Sequence, residues 1–154
     1  MKLWMALYAM IWIAFLEFLL VLTPAADPTG LVYAHIGLGI VILALAWYNF
    51  DRLRKTRVPA RVKRIAKSTF SLSVAMAVLG ILLRLDVGAD LVIPLVGISF
   101  YGLVEFVHVV NAFAIVTQAA AVAIAFDMWE DREFEKETEP GTVPEKPFPA
   151  RPPT

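Results

Sequence analysis

Residues 3–22 read LWMALYAMIWIAFLEFLLVL, twenty positions of which one, Glu17, carries a charge. A helix of about 20 residues, rising 1.5 Å per residue, crosses the roughly 30 Å hydrocarbon layer of a bilayer. Inside lipid only helices and closed barrels satisfy every backbone hydrogen bond. The stretch therefore reads as a membrane span. A secretory leader is the other reading of Lys2 followed by an apolar run, but leader cores run about 7–15 residues and this one is longer. The whole chain agrees with the span: 59% of its 154 residues are hydrophobic and 18% are charged, with a mean hydropathy of +0.69. Soluble domains carry about 45–50% apolar and about 25% charged residues, so this chain has more apolar surface than a globule can hide.

Working outward, a breaker-rich turn (Thr23-Pro24 to Gly30) leads to a second apolar run, Leu31 to Phe50, which closes on the interfacial aromatics Trp47 and Tyr48. Asp51 to Lys67 then holds eight Lys or Arg (Arg52, Arg54, Lys55, Arg57, Arg61, Lys63, Arg64, Lys67) against one Asp, a net of +7. The positive-inside rule makes this connection cytoplasmic. A third span is expected from Ser68, with Ser68 and Thr69 as helix caps, to Leu85, followed by the acidic turn Asp86 to Asp90. Leu91 to Phe126 is apolar over 36 residues, more than one span needs. With Pro94, Gly97 and Gly102 in its first third, it divides into an interfacial or broken segment at 91–100 and a fourth span from Tyr101 to Phe126. The expected fold is all-α: a multi-pass, up-down four-helix bundle in the cell membrane, with both termini cytoplasmic. Residues 1–127 form the bundle, and 128–154 form an acidic, proline-rich, extended cytoplasmic tail.

With so few polar residues in the spans, each is a functional candidate by its cost alone. Five stand out: Glu17, His35, Arg84, Glu105 and His108. Counted from the inner ends Lys2, Phe50, Lys67 and Asp127, they lie 15, 15, 17, 22 and 19 residues along their spans, so all five fall in one outer layer. His35 and His108 are the only histidines. The second and fourth helices of an up-down bundle sit on a diagonal, so two imidazoles at matched depth face each other across its axis. Opposed neutral imidazoles suit the axial positions of heme iron, which makes His35 and His108 the candidate ligands of one b-type heme. Gly37 and Gly39 would leave room for a ring beside His35, Arg84 could pair with propionates, and Glu17 shares the layer. Packing alternatives stay open: interhelical hydrogen bonds for the histidines, close helix contact for the glycines, and pairing with Glu17 or Asp86 or snorkelling for Arg84. Tyr101, Glu105, His108 and Asn111 recur at helical spacing, so their shared face should look inward.

Other chemistries lack residues. Without cysteine there are no disulfides, thiolate metal sites, thiol nucleophiles or covalently attached heme. Glu105-Phe106-Val107-His108 has the spacing of di-iron bundles, but those need a second such pair and two more glutamates. A mononuclear site of His35, His108 and a carboxylate is arithmetically available. Ser68, Ser71 and Ser73 lie towards the inner side, away from both histidines. No phosphate-binding loop or nucleic-acid signature appears, and the basic stretch lacks interleaved aromatics, so phospholipid headgroups suit it better than nucleic acid.

Four helices with histidines on the second and fourth, near the outer face, resemble one half of heme A synthase, whose two four-helix halves each carry such a pair. The likeness covers roughly Leu31 to Phe126 in layout and is shared by small membrane cytochromes b. It implies that Glu105 corresponds to a catalytic glutamate and His108 to a ligand. In that family the Glu-x-x-His lies on a second helix with Arg commonly after the His, whereas here it lies on the fourth and Val109 follows; the outer-loop cysteine pair of many members is absent. Together these observations lead to a b-type cytochrome subunit that moves electrons near the outer face of a respiratory complex. It would work with other membrane subunits and with quinol or an external electron carrier. The alternatives are a heme A synthase-like enzyme using Glu105, and a heme-free accessory subunit of a larger membrane complex.

Overall fold

The computed structural model describes residues 2–22, 28–95 and 97–138. Four helices account for most of them: α1 Leu3–Leu22, α2 Pro28–Arg54, α3 Ala60–Arg84 and α4 Phe100–Thr138. Each is long and apolar enough to cross a membrane. The turn expected at 23–27 and the proline-rich stretch 139–154 lie outside the described residues.

α1 has the bounds its apolar run predicts. The other three overshoot the expected limits: α2 by four residues past Phe50, α3 by eight before Ser68, and α4 by twelve past Phe126. Hydropathy marks where side chains leave lipid, whereas a helix stops only where its hydrogen bonding stops. Extending an existing helix needs no new nucleus, and Arg, Lys and Glu are good helix formers. The +7 segment is thus mostly helix, with only residues 55–59 between α2 and α3. Ser68 and Thr69 do not cap α3; Pro59 occupies the cap position, without a side-chain bond. Thr69 instead donates back to the Ile65 carbonyl at 2.9 Å and lies 3.2 Å from Oε1 of Gln118 on α4, while Ser73 donates to the Thr69 carbonyl at 2.9 Å. Met128 to Thr138, expected as the start of an extended tail, continues α4.

The described residues between 91 and 99 are non-helical, as Pro94 and Gly97 imply, and α4 begins at Phe100. β1 (Val92–Ile93) pairs antiparallel with β2 (Ile98–Ser99), with Val92 opposite Ser99. Gly97 takes φ 69° at the turn. Gly88, at φ 75°, lies so close to Phe100 that an added Cβ would come within 2.5 Å of its ring. Ser99 caps α4: its hydroxyl accepts the Gly102 backbone N–H at 3.0 Å.

Sequential helices pack side by side and α1 closes on α4, leaving α1–α3 and α2–α4 as the diagonals. The core has two clusters. At the inner end Leu7, Leu53, Val58, Val62, Ala66, Val122, Ala123 and Phe126 meet; the start of α1, the end of α2, the start of α3 and the late part of α4 therefore share one level, and the helices alternate in direction. Above it Met10, Ala14, Ile42, Ala46, Ile115 and Ala119 form a second layer. Asn49 is buried between them and donates to the Ala6 carbonyl at 3.3 Å, and the Tyr8 hydroxyl donates to Asp127.

Packing then changes along the axis. Among the described residues, every buried side chain except Val104 lies at or below the level of Ala14, Ile42, Ser73 and Asn111. The bundle is closed in the half that holds the α2–α3 connection, which we call the inner half from the expected orientation, and open in the other.

Candidate functional site

The open half holds the polar layer. Glu17 lies one turn above Ala14, the last buried residue of α1, and His35 lies two turns above Ile42 on the antiparallel α2. The Glu17 carboxylate contacts Nδ1 of His35, an ion pair when the imidazole is protonated. That contact occupies one ring nitrogen and leaves Nε2 as the other. His108 on α4 approaches from across the diagonal, its ring centre 6.2 Å from that of His35 and tilted by 55°. The only two histidines of the chain thus meet at the bundle axis, as their matched depth predicts. Gly80 on α3 makes room for this: a Cβ there would sit 3.6 Å from Cε1 of His108, so the ring lies directly against the helix. One turn inward, Asn111 is buried and donates to the Leu72 carbonyl of α3 at 2.9 Å, which ties α4 to α3 below the ring.

Two polar atoms of this layer are left over. Nδ1 of His108 and Oε2 of Glu17 are buried without a hydrogen-bond partner among the described residues. An orphaned buried polar atom costs about 1–3 kcal/mol, so a close-packed protein rarely leaves two together. They mark a place where this half of the bundle is incomplete by itself.

The remaining candidates do not join the pair. Arg84 is exposed and forms no ion pair among the described residues, so the expected Glu17–Arg84 and Asp86–Arg84 pairs are not made. Glu105 is exposed while Val104 beside it is buried. The shared inward face expected for Tyr101, Glu105, His108 and Asn111 therefore divides. Asn111 is buried, Tyr101 and His108 are half-buried, and Glu105 looks outward. The physical reason is the 100° step of the helix: a stripe at spacings of 4, 3 and 3 is wider than one groove between neighbours. Gly37 and Gly39 meet nothing where a Cβ would stand, so they open onto free space rather than onto a neighbouring helix. Trp4, Trp12 and Phe106 are exposed, and Phe113, also exposed, edges onto Phe18 of α1 at 5.3 Å. Among the described residues no group of three or more His, Cys, Asp or Glu is arranged to hold a metal ion, so neither the di-iron nor the three-ligand mononuclear arrangement forms.

Sequence reasoning passed over Asn49 and took Thr69 only for a helix cap, yet both carry polar contacts of the closed half. Asn49 is legible as a polar residue within an apolar run, but its place beside the basic segment disguised it as a boundary.

Chemically, two imidazoles can share one metal centre only at a suitable separation. Two metal–nitrogen bonds of about 2 Å, plus the depth of each ring, span roughly 6 Å between ring centres. The observed 6.2 Å matches. Glu17 contacts Nδ1 of His35, so Nε2 is the ring nitrogen that this contact leaves over. Comparison with protein-family models, with curated proteins and with solved structures returns no match for this chain.

Proposed function

We propose that the chain is an integral membrane b-type cytochrome subunit, its four helices crossing the cell membrane and one heme held between His35 and His108. The observation that carries this reading is the approach of the only two histidines across the bundle diagonal, 6.2 Å between ring centres, with Glu17 on the far nitrogen of one. His35 and His108 would supply the axial nitrogens, Glu17 would hold His35 in register, and Gly80 keeps the α3 wall clear of the His108 ring. Arg84, exposed at the outer end of α3, is free to reach propionates. The heme would supply one-electron redox chemistry at this depth. The +7 segment orients the bundle with both termini on the cytoplasmic side and the histidine layer towards the outer face. The described chain outside the helices is short, so electrons must enter and leave through other subunits of a respiratory complex, quinol or an external carrier. Glu105 is exposed rather than beside the pair, so electron transfer suits the geometry better than carboxylate catalysis of the heme A synthase kind.

The test is the absorbance spectrum of the purified protein, oxidised and then reduced with dithionite. Sharp reduced bands of a low-spin heme, lost in His35→Ala and in His108→Ala, are expected. A purified chain without such bands after supply of hemin would sink the reading and leave the heme-free accessory subunit.

A further inference from the structure

The inner end of the bundle carries a second polar cleft, separate from the histidine layer. It is an open surface depression of about 320 Å³ where the start of α1 meets the end of α2 and the following turn, lined by Leu3, Tyr48, Arg52, Lys55 and Thr56. Its charge is set by what happens to Asp51, the one acid between residues 51 and 67. Both Asp51 oxygens are taken, Oδ1 by Arg54 and Oδ2 by Lys55, each at 2.5 Å. Lys63 is turned inward, donating to the Arg54 and Thr56 carbonyls at 3.3 and 2.6 Å, and so closes the end of α2. Arg52 is thereby left without a carboxylate in ion-pair reach among the described residues. Its guanidinium is exposed and lies 5.3 Å from the centre of the Tyr48 ring, which holds it at the mouth of the cleft. Thr56 gives its hydroxyl hydrogen to the Leu53 carbonyl at 2.8 Å and serves as wall.

A cationic rim over a wall of Leu3 and Tyr48, level with the interfacial aromatics, matches a phosphodiester that carries hydrocarbon. We propose that this cleft binds the headgroup of an acidic glycerophospholipid. Arg52 holds the phosphate, Lys55 shares itself between Asp51 and the lipid, and Leu3 and Tyr48 receive the glycerol and first methylenes. The site rests on the helices lying in a bilayer and is independent of heme.

The experiment is thermal unfolding of the full chain in neutral detergent, with phosphatidylglycerol, phosphatidylcholine or inorganic phosphate added, alongside native mass spectrometry of the same samples. Phosphatidylglycerol is expected to raise the melting temperature by several degrees, and the other two to leave it unchanged. Arg52→Gln should lose most of that rise, while Lys67→Gln, the same charge change away from the cleft, should keep it. Equal losses in the two variants, or an equal rise with inorganic phosphate, would overturn the proposal. Counting bound lipid keeps the test sound if Arg52→Gln is itself less stable: one retained phosphatidylglycerol fewer than wild type is expected, and an unchanged number refutes the site. Alkaline extraction of membranes tests bilayer insertion separately, so failure of the cleft and failure of the membrane reading are told apart.

Discussion

Overpacking at Gly80 probes the histidine pair without touching either histidine. A methyl group at this position would meet Cε1 of His108 at 3.6 Å, ordinary contact, so Gly80→Ala fits without displacement. It also exchanges the poorest ordinary helix former for the best, worth up to about 1 kcal/mol. Gly80→Leu extends a further two bonds into the space that the ring fills. Relief requires His108 to retreat by more than about 1 Å, at a cost of roughly 1–3 kcal/mol for overpacking. A separation of 6.2 Å between ring centres has no slack for that retreat if both nitrogens hold one iron. The prediction is therefore graded. Gly80→Ala should keep the reduced low-spin bands and melt at or above wild type, while Gly80→Leu should lose them with its helical circular dichroism intact. In a His108→Ala background the Leu substitution should change the spectrum no further, since its effect passes through that ring. A Gly80→Leu protein with full heme occupancy and wild-type bands would show that His108 is not a ligand.

Three other outcomes follow from the contacts. Glu17→Gln removes the carboxylate that contacts Nδ1 of His35; a unit charge about 6 Å from an iron is worth about 2.8 kcal/mol at an effective dielectric near 20, or an upper estimate of roughly 120 mV. The midpoint potential should rise by a sizeable part of this in a spectroscopic redox titration, and no change beyond a few millivolts would place the carboxylate away from the iron. Asn49→Leu gives up the bond to the Ala6 carbonyl and a weak one to the Met10 sulfur at 3.7 Å but also removes an Oδ1 that is buried without a partner, so unfolding should show a change within about 1 kcal/mol, and a loss above about 3 kcal/mol would mean that Asn49 does more than these contacts state. A cysteine at Gly88 should label from outside intact cells and one at Ala60 should not; the reverse pattern would invert the orientation and move the histidine layer to the inner face.

The apolar runs made the four helices legible, because periodicity is hardly needed when a span is hydrophobic all round. The same property hid the faces. In a run as apolar as Leu31 to Phe50 nothing tells which side of α2 meets a neighbour, so the sequence could not say that the positions of Gly37 and Gly39 face open space rather than a packed helix. Rare polar residues escape this ambiguity. His35 and His108 were legible because depth and diagonal placement needed only counting. The contact of Glu17 with His35 was not, since pairing depends on the azimuth of both helices, and Arg84 was an equally good partner on charge alone. Helix ends were read short wherever charged residues began, as at Arg52, Arg61 and Asp127.

One dimension of α4 has a use beyond packing. The helix is 39 residues long, about 58 Å, and its last twelve residues carry it roughly 18 Å beyond Phe126, where the apolar run ends. If the first part is fixed in a bilayer, the remainder is a rigid standoff. A group attached at Thr138 is held at a set distance from the membrane surface, far enough to clear lipid headgroups, and its orientation is coupled to rotation of the same helix that carries His108.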